Sequence, residues 1–260
     1  MNGSPDILPS ERQQSILRLL KQHGRVVSAQ LAAEMQVSED SIRRDLRELA
    51  QQGLCRKVYG GALPATPEFP PLSDRQTVHK QQKQALARHA ATCVRAGDTV
   101  LLDAGSTNSA IAACLPAHQD LHVITNAPDI ALALMGRADI ALSLIGGRLD
   151  RRIGASVGAQ ALEAMHGLRA DLYFVGTCAV DAQHGLWAVD GEEAALKRAM
   201  LAASSRCIVV ATNEKLGAQA PHRIGTVEDI DLLVLQADAP TPQIDAFALR
   251  GVDVRLAPRR

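Results

Sequence analysis

Val37-Ser38-Glu39-Asp40-Ser41-Ile42-Arg43-Arg44-Asp45-Leu46-Arg47-Glu48-Leu49 is the stretch whose reading decides the fold. Ile42, Leu46 and Leu49 recur four and three residues apart and line one face of a helix, with Val37 just ahead of it. Ser38 stands at the N-cap position. Glu39 and Asp40 fill the first turn, where the helix dipole favours negative charge. Arg43, Arg44 and Arg47 stay off the apolar stripe. Such a helix can rest on a small core and still hold guanidinium groups out to an anionic partner.

The residues upstream say what that helix belongs to. Ser10-Glu11-Arg12-Gln13 has capping-box spacing and opens a helix with Ile16, Leu17, Leu19 and Leu20 on its apolar side, closed by Gly24. Val26-Val27 reads as a short strand or extended link. Ser28 is expected to cap a second helix with Leu31, Ala32 and Met35 inward, and Gln36-Val37-Ser38 breaks it from the third. Two short amphipathic helices joined this tightly form a helix-turn-helix pattern, in which the second of the pair enters a DNA groove. After Gly53, Leu54 to Ala62 is β-prone and interrupted by Gly60-Gly61. It reads as a hairpin wing whose Arg56 and Lys57 reach phosphates, or as a solvated hairpin with incidental charges. Residues 11–63 hold nine basic and six acidic side chains, with the excess on the third helix and the wing. Arginine and lysine in such a module divide between phosphate positioning and base-edge readout.

Bulk composition limits the rest. The chain has 260 residues, and its 28 Lys+Arg balance 28 Asp+Glu, so nucleic-acid binding has to be local. Apolar residues make up 47% and aromatic residues 2%, which suits a packed core and disfavours single-strand binding by stacking. The five cysteines are widely spaced without a C-x-x-C pair, so neither a disulfide framework nor a zinc site is expected. The eight histidines lack ligand spacing, so no metal is assigned. Without a leader-like N-terminus or a membrane-length apolar run, a cytoplasmic protein is expected.

Residues 64–74 hold four of the chain's 12 prolines and read as a linker, followed by a helix from about Gln76 to Val94 with Val78, Leu86, Ala87, Ala90 and Ala91 as packing residues. Beyond Gly97, continuous apolar runs recur at 99–102, 122–125, 140–145, 172–175, 207–211 and 232–235, with Ala- and Leu-rich segments between most of them. Continuous runs imply strands buried on both faces, and strand-helix alternation implies a doubly wound, mostly parallel sheet. The expected fold class is therefore α/β. The expected organisation is a disordered lead over 1–9, a winged helix-turn-helix over 10–63, a Pro-rich linker over 64–75, an α/β domain over 76–240 and a C-terminal extension over 241–260.

Ligands of such sheets bind outside the carboxyl ends of the strands. Three of those ends carry small and hydroxyl residues near a helix start, which suits an anion such as phosphate: Asp103-Ala104-Gly105-Ser106-Thr107-Asn108-Ser109, Thr125-Asn126, and Gly146-Gly147-Arg148. Arg148, Arg151 and Arg152 either add charge there or lie on a surface loop. Asp190, Glu192, Glu193 and Lys197 are either a helix cap with an i,i+4 pair or a group that binds sugar hydroxyls. Lys215 is either a phosphate-binding or a solvated lysine.

Taken together, Val37 to Leu46, the Gly60-Gly61-Ala62 of the wing and the strand-end motifs resemble the DeoR family of bacterial transcriptional regulators over roughly residues 11–237. Ser41 stands where threonine is usual, and Tyr59 where histidine is common. The resemblance implies a C-terminal domain similar to ribose-5-phosphate isomerase that binds a phosphorylated sugar and alters operator affinity. It places Asp103, Gly105, Ser106, Thr107, Thr125, Asn126, Gly146, Gly147, Glu193, Lys197 and Lys215 on matching motif positions, with Asp190 in the matching segment. Two departures bear on which sugar is bound: Thr177-Cys178-Ala179 after Gly176, and Thr212 where an aspartate is usual.

The reading that results is a DNA-binding regulator, taken as a repressor of a sugar-catabolic operon, without catalytic residues or a cofactor. Its expected partners are a double-stranded operator, a sugar phosphate and further copies of itself as a homodimer or homotetramer. Operator contacts fall to Ser38, Ser41, Arg43, Arg44, Arg47, Arg56 and Lys57. Two alternatives compete. One is a sugar-phosphate isomerase with a helix-turn-helix appendage, which needs a base beside the substrate carbon, whereas Gly176-Thr177-Cys178-Ala179 offers no acidic pair and only Asp181 nearby. The other is a winged helix that binds protein instead of DNA, against which the three arginines argue.

Overall fold

The computed structural model describes residues 9–23, 25–64 and 70–258, and the chain divides into two units, Met1–Glu68 and Phe69–Arg260. In the first, α1 (Pro9–His23), β1 (Val26–Val27), α2 (Ser28–Glu34), α3 (Glu39–Gln51), β2 (Cys55–Val58) and β3 (Gly61–Pro64) follow in order. The apolar stripe expected of α3 is buried: Ile42, Leu46 and Leu49 pack with Ile16, Leu20, Leu31, Ala32, Val26, Cys55 and Ala62. Each fully buried Leu or Ile side chain contributes roughly 1.5–3 kcal/mol. Ser38 caps α3 by accepting the Ser41 N–H at 3.1 Å. The three strands pair antiparallel in the order β1-β3-β2. A Cβ at Gly61 would lie 2.0 Å from the Val26 carbonyl oxygen, so this close pairing requires glycine.

The second unit opens with α4 (Leu72–Thr77) and α5 (Lys80–Ala91). Strand and helix then alternate through β4 (Thr99–Leu102), α6 (Ser106–Ala112), β5 (Leu121–Thr125), α7 (Pro128–Leu134) and β6 (Ile140–Leu144). A hairpin of β7 (Arg148–Asp150) and β8 (Ala155–Val157) and a short α8 (Ala159–Glu163) lead to β9 (Leu172–Val175). The order is completed by β10 (Ala179–Asp181), β11 (Gly185–Ala188), α9 (Gly191–Ala202), β12 (Cys207–Ala211), β13 (His222–Gly225), β14 (Leu232–Leu235), α10 (Thr241–Ala248) and β15 (Asp253–Leu256). Seven strands form one parallel sheet in the order β15-β14-β12-β9-β4-β5-β6. Alternate strand residues feed two cores. Val100, Leu102, Phe174 and Val210 meet α5, α6 and α7 on one face, and Leu101, Tyr173, Val175 and Val209 meet α9 and α10 on the other. This is the doubly wound sheet expected, and its order reverses between β4 and β9.

Several local expectations are corrected. Ser10 is already inside α1, which includes Pro9, so it is not a cap ahead of the helix. Ser28 is the buried first residue of α2 rather than its N-cap; Val27 holds that place, and the Ser28 N–H donates to the Gly60 carbonyl. Gly24, residues 1–8 of the lead and residues 65–69 of the linker lie outside the described residues. The linker expected to run to 75 gives way to α4 at Leu72. The single helix from Gln76 to Val94 is two, broken at Val78-His79, where His79 has φ 54 and Val78 is 51% exposed. Residues 241–260 are not a mere extension: β15 pairs parallel with β14 and is the sheet's edge. Its Asp253-Val254-Arg255-Leu256 alternates as a half-exposed edge strand does, so no continuous apolar run announced it.

Candidate functional site

On α3, Arg43, Arg44 and Arg47 are all exposed, but not equivalent. Arg43 donates to Glu39 at 2.8 Å and lies 3.6 Å from Asp40, both on its own helix. Arg44 and Arg47 make no ion pair among the described residues. Ser38 and Ser41 share a hydroxyl–hydroxyl bond of 2.9 Å at the start of the helix. Arg56 and Lys57 are exposed neighbours on β2, so strand alternation points them to opposite faces. The tip residue Tyr59 is fully exposed. One residue passed over in the sequence sets the helix in place: Asp45, buried on α3, takes Arg12 of α1 through two bonds of 2.5 and 3.2 Å. Its signal was an acid at a position next to the apolar stripe.

In the second unit the sheet reverses at the ends of β4 and β9, where ligands of open α/β sheets bind. Asp103 follows β4 and is fully buried. One carboxylate oxygen accepts the Gly176 N–H at 2.7 Å and the Asn108 amide at 2.7 Å; the other accepts the Tyr173 hydroxyl and the Lys197 ammonium, each at 2.5 Å. A Cβ at Gly176 would collide with that carboxylate. Lys197 also donates to the Gly176 carbonyl at 2.6 Å and lies 3.3 Å from Glu193. Burial pulls the Lys197 ammonium down, but Asp103 and Glu193 outweigh it and hold it above its ordinary value. Burial raises Glu193 despite the opposing pull of Lys197, and raises Tyr173, with Asp103 adding to the effect. Asp103 and Lys197 are therefore a buried, fully bonded pair that holds the Gly176 turn against α9.

A cavity of about 20 Å³ lies beside this pair, lined by Gly105, Thr107, Asn108, Glu193, Lys215 and Arg75 among others. That is room for roughly one water molecule. Thr107 is buried and its hydroxyl has no hydrogen-bond partner. Lys215, in the turn after β12, makes no hydrogen bond or ion pair among the described residues; burial and the nearby Arg75 and Lys83 lower its pKa to about 8. Glu193 is the one acid in the described lining. Cys178 is pushed up to about 11 by burial and Glu193, which keeps it a thiol.

The remaining expected residues sit elsewhere. Ser106 lines a separate groove of about 530 Å³ with Gln76, Lys80, Lys83 and Arg88. Thr125 accepts the Ala127 N–H, and Asn126 bonds the Ala104 N–H and the Ser156 carbonyl, so both brace backbone. Gly146 and Gly147 lie between β6 and β7. Arg148 pairs with Glu192, while Asp190 caps α9 through the Glu192 and Glu193 N–H groups at 2.9 and 3.0 Å and lies 3.8 Å from Arg152. Arg75 lines the cavity without having been singled out, having stood within the expected linker, and Asn108 of the first strand-end motif and Thr177 of the first departure line it too. A cleft of about 570 Å³ between α5 and the ends of β14 and β15 has Asp238 and no cation in its described lining, which disfavours an anion. Among the described residues no group of three or more His, Cys, Asp or Glu gathers as for a metal, and no helix is long and apolar enough to cross a membrane.

Against known proteins, the DeoR C terminal sensor domain matches residues 78–237 and the DeoR-like helix-turn-helix domain matches residues 12–68. A glycerol-3-phosphate regulon repressor of Shigella flexneri is 33% identical over 234 residues, 90% of this chain and 92% of its own. The HTH-type transcriptional repressor GlcR of Bacillus subtilis is 32% identical over 246 residues, 94% of this chain and 95% of its own. Among solved structures, ribose 5 phosphate isomerase A from Neisseria gonorrhoeae aligns at 16% identity with a TM-score of 0.39, covering 57% of each chain.

Proposed function

The chain belongs to the DeoR family of transcriptional regulators, and from that premise we propose that it represses a sugar-catabolic operon, reading the operator with α3 and answering to a phosphorylated sugar at the β4–β9 reversal. The observation that carries the effector reading is a pairing on one cavity lining: the half-buried Lys215 ammonium, without an ion pair among the described residues, and the buried Thr107 hydroxyl, which has no hydrogen-bond partner. A phosphate supplies what both lack, an anion for the first and an acceptor for the second. Glu193 and Asn108, on the same lining, suit sugar hydroxyls. A relative named for the glycerol-3-phosphate regulon supports a small phosphorylated polyol or sugar as the ligand class.

On the DNA side, Arg44 and Arg47 read base edges or phosphates, Arg43 joins them once it leaves Glu39 and Asp40, and one of Arg56 and Lys57 holds the backbone. A cytoplasmic homodimer or homotetramer fits this role, because a two-fold protein matches a palindromic operator. The protein acts as a sensor and not as a catalyst. Aldose–ketose isomerisation needs a base beside the substrate carbon, and the described lining offers Glu193 alone as a carboxylate.

The test has two steps. A thermal-shift screen of sugar phosphates finds the ligand, and a gel shift on the DNA upstream of the protein's own gene is run with and without it. Sequence-preferring retardation altered by the hit is the expected result. Retardation indifferent to sequence, or to every sugar phosphate that binds, would sink the reading. Turnover of ribose 5-phosphate above background would reinstate the enzyme.

A further inference from the structure

The two edges of the seven-stranded sheet are built differently. β15, at one end, carries Asp253 and Arg255, and charged side chains keep an exposed edge from pairing with another chain. β6, at the other, reads Ile140-Ala141-Leu142-Ser143-Leu144 and has no charge. Asp139, just ahead of it, is already held by the Arg137 guanidinium and the His118 N–H. Among the described residues β6 pairs only with β5. The Ile145 N–H donates to the Thr125 carbonyl at 2.8 Å. Backbone groups of alternate residues in a parallel pair turn to opposite sides, so those of Ile140, Leu142 and Leu144 point off the edge. The Ile140 N–H finds the Arg137 carbonyl at 3.2 Å, and the Leu142 and Leu144 amides find no acceptor among the described residues.

The helix over that edge is open as well. α7 packs Ile130 and Leu134 into the core beside Ile140 and Leu142, yet Leu132 is 71% exposed and Met135, its C-cap residue, 72%. Three residues apart, the two share one side of the helix. Leu144, on the same face of β6 as Leu142 by strand alternation, is 51% exposed. An identical strand laid antiparallel along β6, about a two-fold axis perpendicular to the sheet, continues the sheet without turning it over. The same rotation brings the second α7 to the same face, beside the first. A strand from another protein would fill the edge alone. A second copy also brings a matching apolar helix to the same level and sets an uncharged edge against an uncharged edge, so no ion is stripped of water. We infer that β6 and α7 form a self-complementary interface with a second copy of this chain, joining the two sheets edge to edge. This rests on the homo-oligomer proposed above and gives that assembly its face in the second unit.

The test compares the full-length wild type with the double variant Leu132→Lys, Met135→Lys, with Leu144→Lys, and with Leu249→Lys as a control for surface charge. Each of these side chains is at least half exposed, so the fold tolerates the change, and thermal melting checks it. Mass is read by sedimentation over a dilution series, and amide exchange is followed at Leu142 and Leu144. The wild type should sediment as two chains or more. Its Leu142 and Leu144 amides should exchange slowly when concentrated and fast once diluted apart. The double variant and Leu144→Lys should dissociate at concentrations about tenfold higher or more and exchange fast where the wild type is protected. Leu249→Lys should match the wild type. A wild type that stays a single chain at every concentration overturns the assembly and this inference together. An assembly that survives in both face variants, or whose Leu142 and Leu144 amides exchange fast while it is assembled, overturns the face alone. Protection of those amides that does not change as the assembly is diluted apart means that the chain covers its own edge, and overturns the face too.

Discussion

Arg44 and Arg47 are exposed and free of ion pairs among the described residues, whereas Arg43 lies over two acids of its own helix. An arginine already paired has to give up that contact before it meets DNA, so its net contribution is smaller. Replacing Arg44 or Arg47 by alanine should therefore weaken operator binding more than Arg43→Ala. A lost bidentate base contact costs about 1–3 kcal/mol and relaxes specificity at one base pair. A lost phosphate contact weakens all sequences alike and lowers the salt slope by about one. Titrating operator and scrambled DNA at several salt concentrations separates the two, and Arg43→Ala as the most damaging of the three would refute the ranking. Lys215 gives the second prediction at this scale. Its pKa is lowered to about 8, so above that pH the unliganded site loses a cation. A phosphate ester becomes doubly charged above roughly pH 6. Affinity for the sugar phosphate should thus be greatest between those limits and fall as pH rises through about 8, with proton uptake on binding near pH 8 in calorimetry across buffers. The unliganded protein should move the other way. Between about 8 and the ordinary lysine value of 10.5 the unfolded chain binds more protons at this residue, so its contribution to stability rises with pH across that window. Affinity independent of pH between 7 and 9 would remove Lys215 from the phosphate.

The elements divide by how their side chains are shared between core and solvent. α3 was legible because a 3.6-residue period, a serine cap and two first-turn acids agree on one answer. β4, β9, β12 and β14 were legible because burial on both faces demands unbroken apolar runs. β15 was not, since an edge strand keeps charges such as Asp253 and Arg255. The break between α4 and α5 left no glycine or proline to mark it; His79 takes a left-handed conformation there, and Lys83 satisfies the freed carbonyls from below. The turns after β4, β5 and β6 were legible as strand ends, but only the first lines the cavity, and spacing alone does not tell Thr107, which lines it, from Thr125 and Asn126, which brace backbone. Nor does it tell that Asp45, beside three arginines, is paired to a different helix. That pair can be tested. Removing one partner of a buried ion pair costs about 3–5 kcal/mol, because the other charge is left desolvated. Asp45→Ala should destabilise α1 and α3 by that order in native-state hydrogen exchange and leave β4 and β9 protected as before. Adding Arg12→Met should recover a good part of the loss, since a well-packed apolar replacement of such a pair is often neutral. A loss below about 1 kcal/mol, the range of exposed pairs, would show that water screens the contact.

For the whole molecule, the helix-turn-helix lies in one unit and the cavity lined by Lys215 and Thr107 in the other, with residues 65–71 as the covalent connection between β3 and α4. Regulation then requires that ligand in one unit change the free energy of binding in the other. Such coupling is reciprocal: if the sugar phosphate changes operator affinity by some factor, the operator changes sugar-phosphate affinity by the same factor, typically 5–150-fold, or about 1–3 kcal/mol. Both halves are measurable, by operator titration at saturating ligand and by ligand calorimetry at saturating operator, and unequal factors would mean that a third equilibrium, such as subunit assembly, is being driven as well. The connection makes a sharper demand. The Arg75 bond to Pro70 lies at its sensor end, so tension and register in residues 65–71 matter only if the signal passes along them. Inserting a few glycine and serine residues between 65 and 69 should leave operator affinity without ligand, and ligand affinity without operator, close to wild type, because neither site is touched. The coupling factor should shrink toward one, since a flexible insertion stores little free energy and each doubling of a loop costs only about 0.6 kcal/mol. A coupling factor unchanged by the insertion would place the communication in the oligomer and not in the chain.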